Sequence, residues 1–172
     1  LISHPHYDHS YTAAVKGKYK LINEPGEYAL NGLAVKGVSS FHDGKQGRLR
    51  GKNTIFVLAA EGVAVCHMGD QGVVPSDDLL KSIGRVDILM IPVGGTYTLD
   101  AAGAFETVEK MQPNIIIPMH YKTIYTDMDI AGVHAFLELA AGHYDISRHG
   151  ANSLNISKDQ LKKRPRIAVL EC

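Results

Sequence analysis

The chain has no tryptophan, only two cysteines (Cys66 and Cys172), and no apolar run approaching the length of a membrane-spanning helix. Two cysteines cannot build a disulfide framework, so stability has to come from a packed core, and a cytoplasmic setting is expected. A bilayer span needs roughly 18 or more consecutive apolar residues, and none is present. Charge of one sign is also missing: 18 Lys and Arg balance 18 Asp and Glu. That argues against a nucleic-acid partner held by a broad basic field. No internal repeat, low-complexity tract or linker divides the sequence. What remains is 172 residues, 45% hydrophobic and 21% charged. That is enough for one soluble domain, 1–172, with its own core.

The apolar pattern changes character along the chain. Up to about Gly69 it reads as strands. Tyr19 to Ile22 is short and apolar, and Glu27 to Leu30 and Leu33 to Phe41 flank Asn31-Gly32, a two-residue hairpin signal. Asn53 to Ala60 and Val63 to His67 flank Glu61-Gly62 in the same way. Between the hairpins, Asp43 to Lys52 holds three glycines and four basic residues and reads as an exposed loop. The second half alternates helix and strand. Helices are expected over Asp77–Ile83, over Asp100–Met111 with Thr98 or Asp100 as cap, and over Asp129–Ala141. Buried strands are expected over Val86–Val93 and Asn114–Pro118, with closing strands at Leu154–Ile156 and Ile167–Leu170. Hairpins followed by strand–helix units imply sheet layers covered by helices, an α/β class.

Nine histidines are a mild excess, and their placement carries the chemistry. His4-Pro5-His6-Tyr7-Asp8-His9 opens the chain. With this composition, a chance His-x-His-x-Asp-His is on the order of one in a thousand. In an extended stretch, residues two apart project to the same side, so His4 and His6 can chelate one ion together. Pro5 fixes its own φ and pushes His4 toward an extended conformation, which stiffens the claw. Asp8 and His9 are adjacent and need a turn to aim at one point, which a strand running into a helix at Ser10–Val15 would supply. Imidazole with carboxylate suits zinc, and also manganese and iron. His42, Asp70 and His120 each sit just past an expected buried strand, where layered sheets commonly carry ligands and catalytic groups. His134, His143 and His149 have no metal-binding spacing.

This set resembles the metallo-β-lactamase superfamily of metal-dependent hydrolases, over nearly the whole chain. The resemblance implies an αββα sandwich. It also implies two divalent ions, one held by His4, His6 and His42 and the other by Asp8, His9 and His120, with Asp70 bridging both. Cys66-His67-Met68-Gly69-Asp70, Ile91-Pro-Val-Gly-Gly-Thr-Tyr-Thr and Ile117-Pro-Met-His-Tyr are similar to the branch of zinc-dependent hydrolases related to L-ascorbate-6-phosphate lactonase and N-acyl-phosphatidylethanolamine phospholipase D. Family members carry strands ahead of the His-x-His motif that are absent here. The expectation is therefore a sandwich lacking its first N-terminal strands, with an open edge that would favour a homo-oligomer.

Two ions sharing an Asp and a water generate hydroxide near neutral pH and polarise a carbonyl or phosphoryl oxygen. The expected activity is hydrolysis of a small, anionic ester or lactone by a metal-bridging hydroxide, with Asp70 catalytic. A phosphodiesterase, including phospholipase D-like or nuclease activity, is the alternative, as is a metal-binding module without turnover. His67 reads equally as a group that orients a ligand, as a proton donor, or as a hydrogen-bonded strand-end histidine. Gly94 and Gly95 offer backbone N–H groups to an anionic substrate group, or form a plain tight turn. Tyr121, beside His120, faces substrate or packs. Lys45, Arg48, Arg50 and Lys52 read as a solvated basic loop with phosphate recognition as the alternative.

Overall fold

The protein is described here by a computed structural model of residues 1–171. Strands β1 (Gly26–Leu30), β2 (Leu33–Phe41), β3 (Lys52–Ala60) and β4 (Val63–His67) form an antiparallel meander. Both hairpin turns are the ones the sequence specifies. Asn31 and Gly32 have φ of 46° and 86°, and Glu61 and Gly62 have φ of 51° and 76°. Positive φ at both central residues matches the right-handed twist of the flanking strands. From β4 the sheet turns parallel through β5 (Ile88–Pro92), β6 (Ile115–Met119), β8 (Arg166–Val169) and β7 (Asp145–Arg148). All eight strands belong to one sheet, in the order β1-β2-β3-β4-β5-β6-β8-β7.

Side-chain alternation divides the sheet into two faces. Ile55 and Val57 of β3, Cys66 of β4, Leu89 and Ile91 of β5, Ile116 of β6, and Ile167 and Val169 of β8 share the main core. On that face lie α1 (Asp77–Ile83), α2 (Ala101–Met111) and α3 (His134–Ala140), which contribute Ile83, Ala104, Val108, Phe136, Leu137 and Ala140. Cys66 is fully buried there, and burial pushes its thiol up to about 12, so it packs as a small apolar side chain. The opposite face holds two smaller clusters, around Ile22, Val35 and Phe56 and around Ile88, Ile115 and Ala168. Among the described residues, no helix is long and apolar enough to cross a membrane.

Four expected elements differ, each for a local reason. Ser10–Val15 is not helical; Tyr11, Ala13, Ala14 and Val15 are all exposed, and six residues without a buried face cannot offset helix nucleation. Tyr19 to Ile22 forms no strand, although Ile22 is buried and its carbonyl accepts from the Ile2 N–H. Helix α3 starts at His134, not Asp129, because Ala131 N–H donates to the Gly94 carbonyl and Ala131 O accepts from Lys122. Those bonds tie the segment to the end of β5 and preclude an i→i−4 ladder. Leu154 and Ile156 lie on the sheet without joining it, and the second edge is β7, whose Asp145-Ile-Ser-Arg carries little apolar signal.

Candidate metal centre

Every residue of the centre stands on a strand end or on a turn clamped to one. The opening segment is anchored when Thr54 of β3 donates its N–H to Ser3 O at 2.7 Å, and a turn closed by His9 N–H to His6 O at 3.0 Å aims Asp8 and His9. The turn expected after His6 is therefore present, but no helix follows it. His42 directly follows β2, and its N–H donates to Gly51 O. Asp70 lies beyond β4, where Asn53 Oδ1 accepts its N–H at 3.1 Å. The Asn53 amide in turn donates to Met68 O and Ser40 Oγ, both at 2.8 Å. Gly69, at φ +56°, makes this approach possible: a Cβ there would lie 2.3 Å from Asn53 Oδ1 and 2.7 Å from Ser3 Cβ. His120 follows β6 at φ +51°, a backbone conformation that L-residues rarely adopt.

The side chains converge on Asp70. His42 Nε2 is 3.1 Å from Asp70 Oδ2, His120 Nε2 3.5 Å and His4 Nε2 3.6 Å; His9 Nε2 is 3.5 Å from Oδ1. Asp8 Oδ2 joins through His9 Nε2 at 3.6 Å. The rings of His4, His6 and His42 stand 4.7 to 5.0 Å apart, and one ligand atom from each falls within 4.8 Å of the others. His4, His9 and Asp70 satisfy the same test.

The electrostatics suit a cation. Burial raises the Asp70 carboxyl, but His42, His120, His9 and His4 outweigh that and hold it below its ordinary value, so it is ionised. Burial lowers His4 to about 4, against an opposing pull from Asp70, so its imidazole is neutral near pH 7 and able to donate a lone pair. Burial lowers His42 too, but Asp70 together with backbone hydrogen bonds at His42 and Tyr97 outweighs it, and His42 ends above its ordinary value. His4 has Ser3 Oγ on Nδ1 at 2.9 Å while its buried Nε2 has no hydrogen-bond partner. A buried, unpartnered nitrogen facing a carboxylate is costly unless something completes it, and a divalent ion does so.

The remaining expected residues are dispersed. His67 does not line the cavity above Asp70. It lines a second cavity with Leu1, Ser3, Asp8, His9 and Met90, and its Nδ1 accepts the Gly69 N–H at 3.0 Å. Burial, with His9 adding to it, lowers its pKa. Gly95 already donates its N–H to Leu99 O, and a Cβ on Gly94 would lie 2.3 Å from His120 O. Both glycines serve a tight turn packed on the strand ends, and neither lines the cavity above Asp70. Tyr121 packs against the main core, with its hydroxyl 3.5 Å from Leu170 O, and does not line that cavity.

The cavity above Asp70 has a volume of about 360 Å³, with His6, Asp8, His42 and His120 in its wall and Tyr7, Arg50, Tyr97 and Met128 around them. Met128 carries no sequence signal, and Tyr97 has one only through its place in the Ile91–Thr98 stretch. The 43–52 segment is also more ordered than a solvated loop. Asp43 is buried, and its carboxylate accepts the N–H groups of Lys45, Gly47, Leu49 and Arg50 at 2.7 to 3.1 Å. Burial would raise this carboxyl, but the four N–H groups hold it below its ordinary value. Asp43→Ala should therefore speed amide hydrogen exchange at those four residues while leaving β3 protected; unchanged exchange would show that the loop does not depend on the carboxylate.

A cluster of imidazoles around a buried carboxylate, at the strand ends of an α/β sheet, defines a metal-binding type of site. Comparison with known proteins supplies the family. A model of the beta-lactamase superfamily domain matches residues 1–120. The chain is 38% identical over 103 residues to a metal-dependent hydrolase of Thermoplasma acidophilum, covering 59% of this chain and 46% of that one. It is 30% identical over 164 residues to another from Thermoplasma volcanium, covering 82% and 72%. Among solved structures, a Thermotoga maritima protein described as a Zn-dependent hydrolase of the metallo-β-lactamase superfamily matches with a TM-score of 0.80 at 38% identity, over 98% of this chain and 78% of that one. The chain belongs to the metallo-β-lactamase superfamily of metal-dependent hydrolases. It spans just under half the length of the first of these relatives.

Proposed function

We propose that the chain carries the reacting centre of a dinuclear hydrolase acting on a small, anionic ester or lactone. The observation that carries this reading is the approach of His4, His9, His42 and His120 to the two oxygens of one buried carboxylate, Asp70, at 3.1 to 3.6 Å. In this reading His4, His6 and His42 hold one divalent ion, Asp8, His9 and His120 hold the other, and Asp70 is shared. The imidazole–carboxylate set suits zinc. Such ions supply a nucleophile from water at neutral pH and polarise the scissile carbonyl.

The chain's own groups do the rest. Ser3 Oγ fixes the His4 ring through Nδ1, and Asn53 fixes the Asp70 backbone. His67 is a positioning residue: its Nδ1 receives the Gly69 N–H and so braces the turn that aims Asp70. Tyr7, Tyr97 and Met128 stand in the cavity wall and would cover part of a bound substrate. The balanced charge favours a small-molecule substrate over a nucleic acid, and the free, buried Cys66 accords with a cytoplasmic setting.

The test is turnover of a panel of lactones and carboxylic esters against a chromogenic phosphodiester, before and after metal stripping and zinc restoration. Lactone or ester turnover restored by zinc supports the reading. Preferential phosphodiester turnover would replace it, and metal binding with no turnover of any panel member would make the chain a binding module.

A further inference from the structure

Of the four cations that follow His42, only Arg50 lines the cavity above Asp70; Lys45, Arg48 and Lys52 are exposed and take no part in its wall. The guanidinium carbon of Arg50 stands over the Tyr97 ring, 5.4 Å from its centroid, and Tyr97 is itself a wall residue. An aromatic face beneath a guanidinium holds it in place while leaving its N–H donors free. Two other arginines are neutralised by carboxylates, Arg85 by Asp87 at 3.1 Å and Arg164 by Asp145 at 3.3 Å. Among the described residues no carboxylate pairs with Arg50.

The backbone beneath it is fixed as well. Arg50 N–H donates to Asp43 Oδ2 at 2.7 Å, and Asp43 also accepts from Lys45, Gly47 and Leu49. One buried carboxylate thus shapes the loop that begins beside His42 and ends on Arg50. A cation seated on an aromatic ring, on a loop clamped from within and with no acidic partner, is poised for an anion from outside the chain. The wall is not all polar: Tyr7, Tyr97 and Met128 add apolar surface to the same cavity.

We propose that Arg50 is the anion-recognising residue of this cavity, and that the site takes a small substrate with a carboxylate or phosphate on an apolar or aromatic body. The anionic end sits on Arg50, which leaves the scissile group toward Asp70. Arg50 is a specificity residue and takes no part in bond breaking. This inference rests on reading the cavity as the reacting site.

The experiment is calorimetric binding of phenylacetate, phenyl phosphate and neutral phenylacetamide to the protein as purified, with its metal content recorded, and to Arg50→Gln and Arg50→Lys. Both phenyl anions, or one of them, should bind the wild type more tightly than the amide, and their ranking identifies carboxylate or phosphate as the preferred group. Arg50→Gln should weaken the preferred anion by about 10- to 100-fold, the range for a lost charge-assisted hydrogen bond, with metal content unchanged. Arg50→Lys should recover part of the loss, since it keeps the charge but not the fork. Anion affinity unchanged in Arg50→Gln, or wild-type binding that does not distinguish the anions from the amide, would overturn the proposal. Failure of the hydrolase reading looks different: metal or turnover is absent while the Arg50-dependent anion preference persists.

Discussion

Asp70→Ala is expected to abolish hydrolysis and, on the proposed two-ion reading, to loosen one ion, with the fold retained. Asp70 is the one carboxylate that His4, His9, His42 and His120 all approach, and its two oxygens face different members of the set. Removing it leaves the buried imidazoles of His4 and His42 with no carboxylate against them, and in the proposed centre no shared ligand for two ions. Asp70→Asn keeps the shape and one oxygen acceptor but loses the charge, so it should keep more metal than Asp70→Ala and be nearly as inactive. Elemental analysis of both variants beside their turnover checks this. Asp70→Ala protein with full metal content and wild-type rates would place the centre elsewhere.

Gly94→Ala should destabilise the protein by about 2–3 kcal/mol, the upper range for forcing atoms into a packed site. The added Cβ would meet His120 O at 2.3 Å and Tyr121 Cα at 3.1 Å, and neither backbone atom can swing away. The strand ends after β5 and β6 would have to separate, carrying His120 away from Asp70. The variant therefore discriminates between two roles for the Gly94-Gly95 turn. A spacer predicts a lower urea midpoint and weaker metal binding together. A substrate contact predicts a raised KM with stability unchanged, and that outcome would contradict the packing account.

Much of this was legible in the sequence because it is written in local chemistry. Asn31-Gly32 and Glu61-Gly62 adopt positive φ at both positions, which is what makes such dipeptides hairpin signals. His4, His6, Asp8 and His9 are close in sequence, and His42, Asp70 and His120 follow strands whose apolar runs are plain. What stayed hidden depends on partners distant in sequence. Ala131 bonding to Gly94 shortens α3, and Gly132 is the one weak local sign of it. Asp43 looks like a loop residue until its four N–H donors are seen. Arg50 is one of four similar cations, and only the ring of Tyr97, 47 positions further on, sets it apart. His67 has the composition of a catalytic histidine, yet strand alternation turns it away from the cavity above Asp70.

The central claim is that seven side chains from four separate segments form one two-ion centre. Calorimetric titration of metal-stripped protein with zinc tests it most directly. The account predicts two zinc ions per chain, falling to one or to two much weaker sites when Asp70 is replaced by Ala. A single site, no binding, or two sites indifferent to the loss of Asp70 would contradict it.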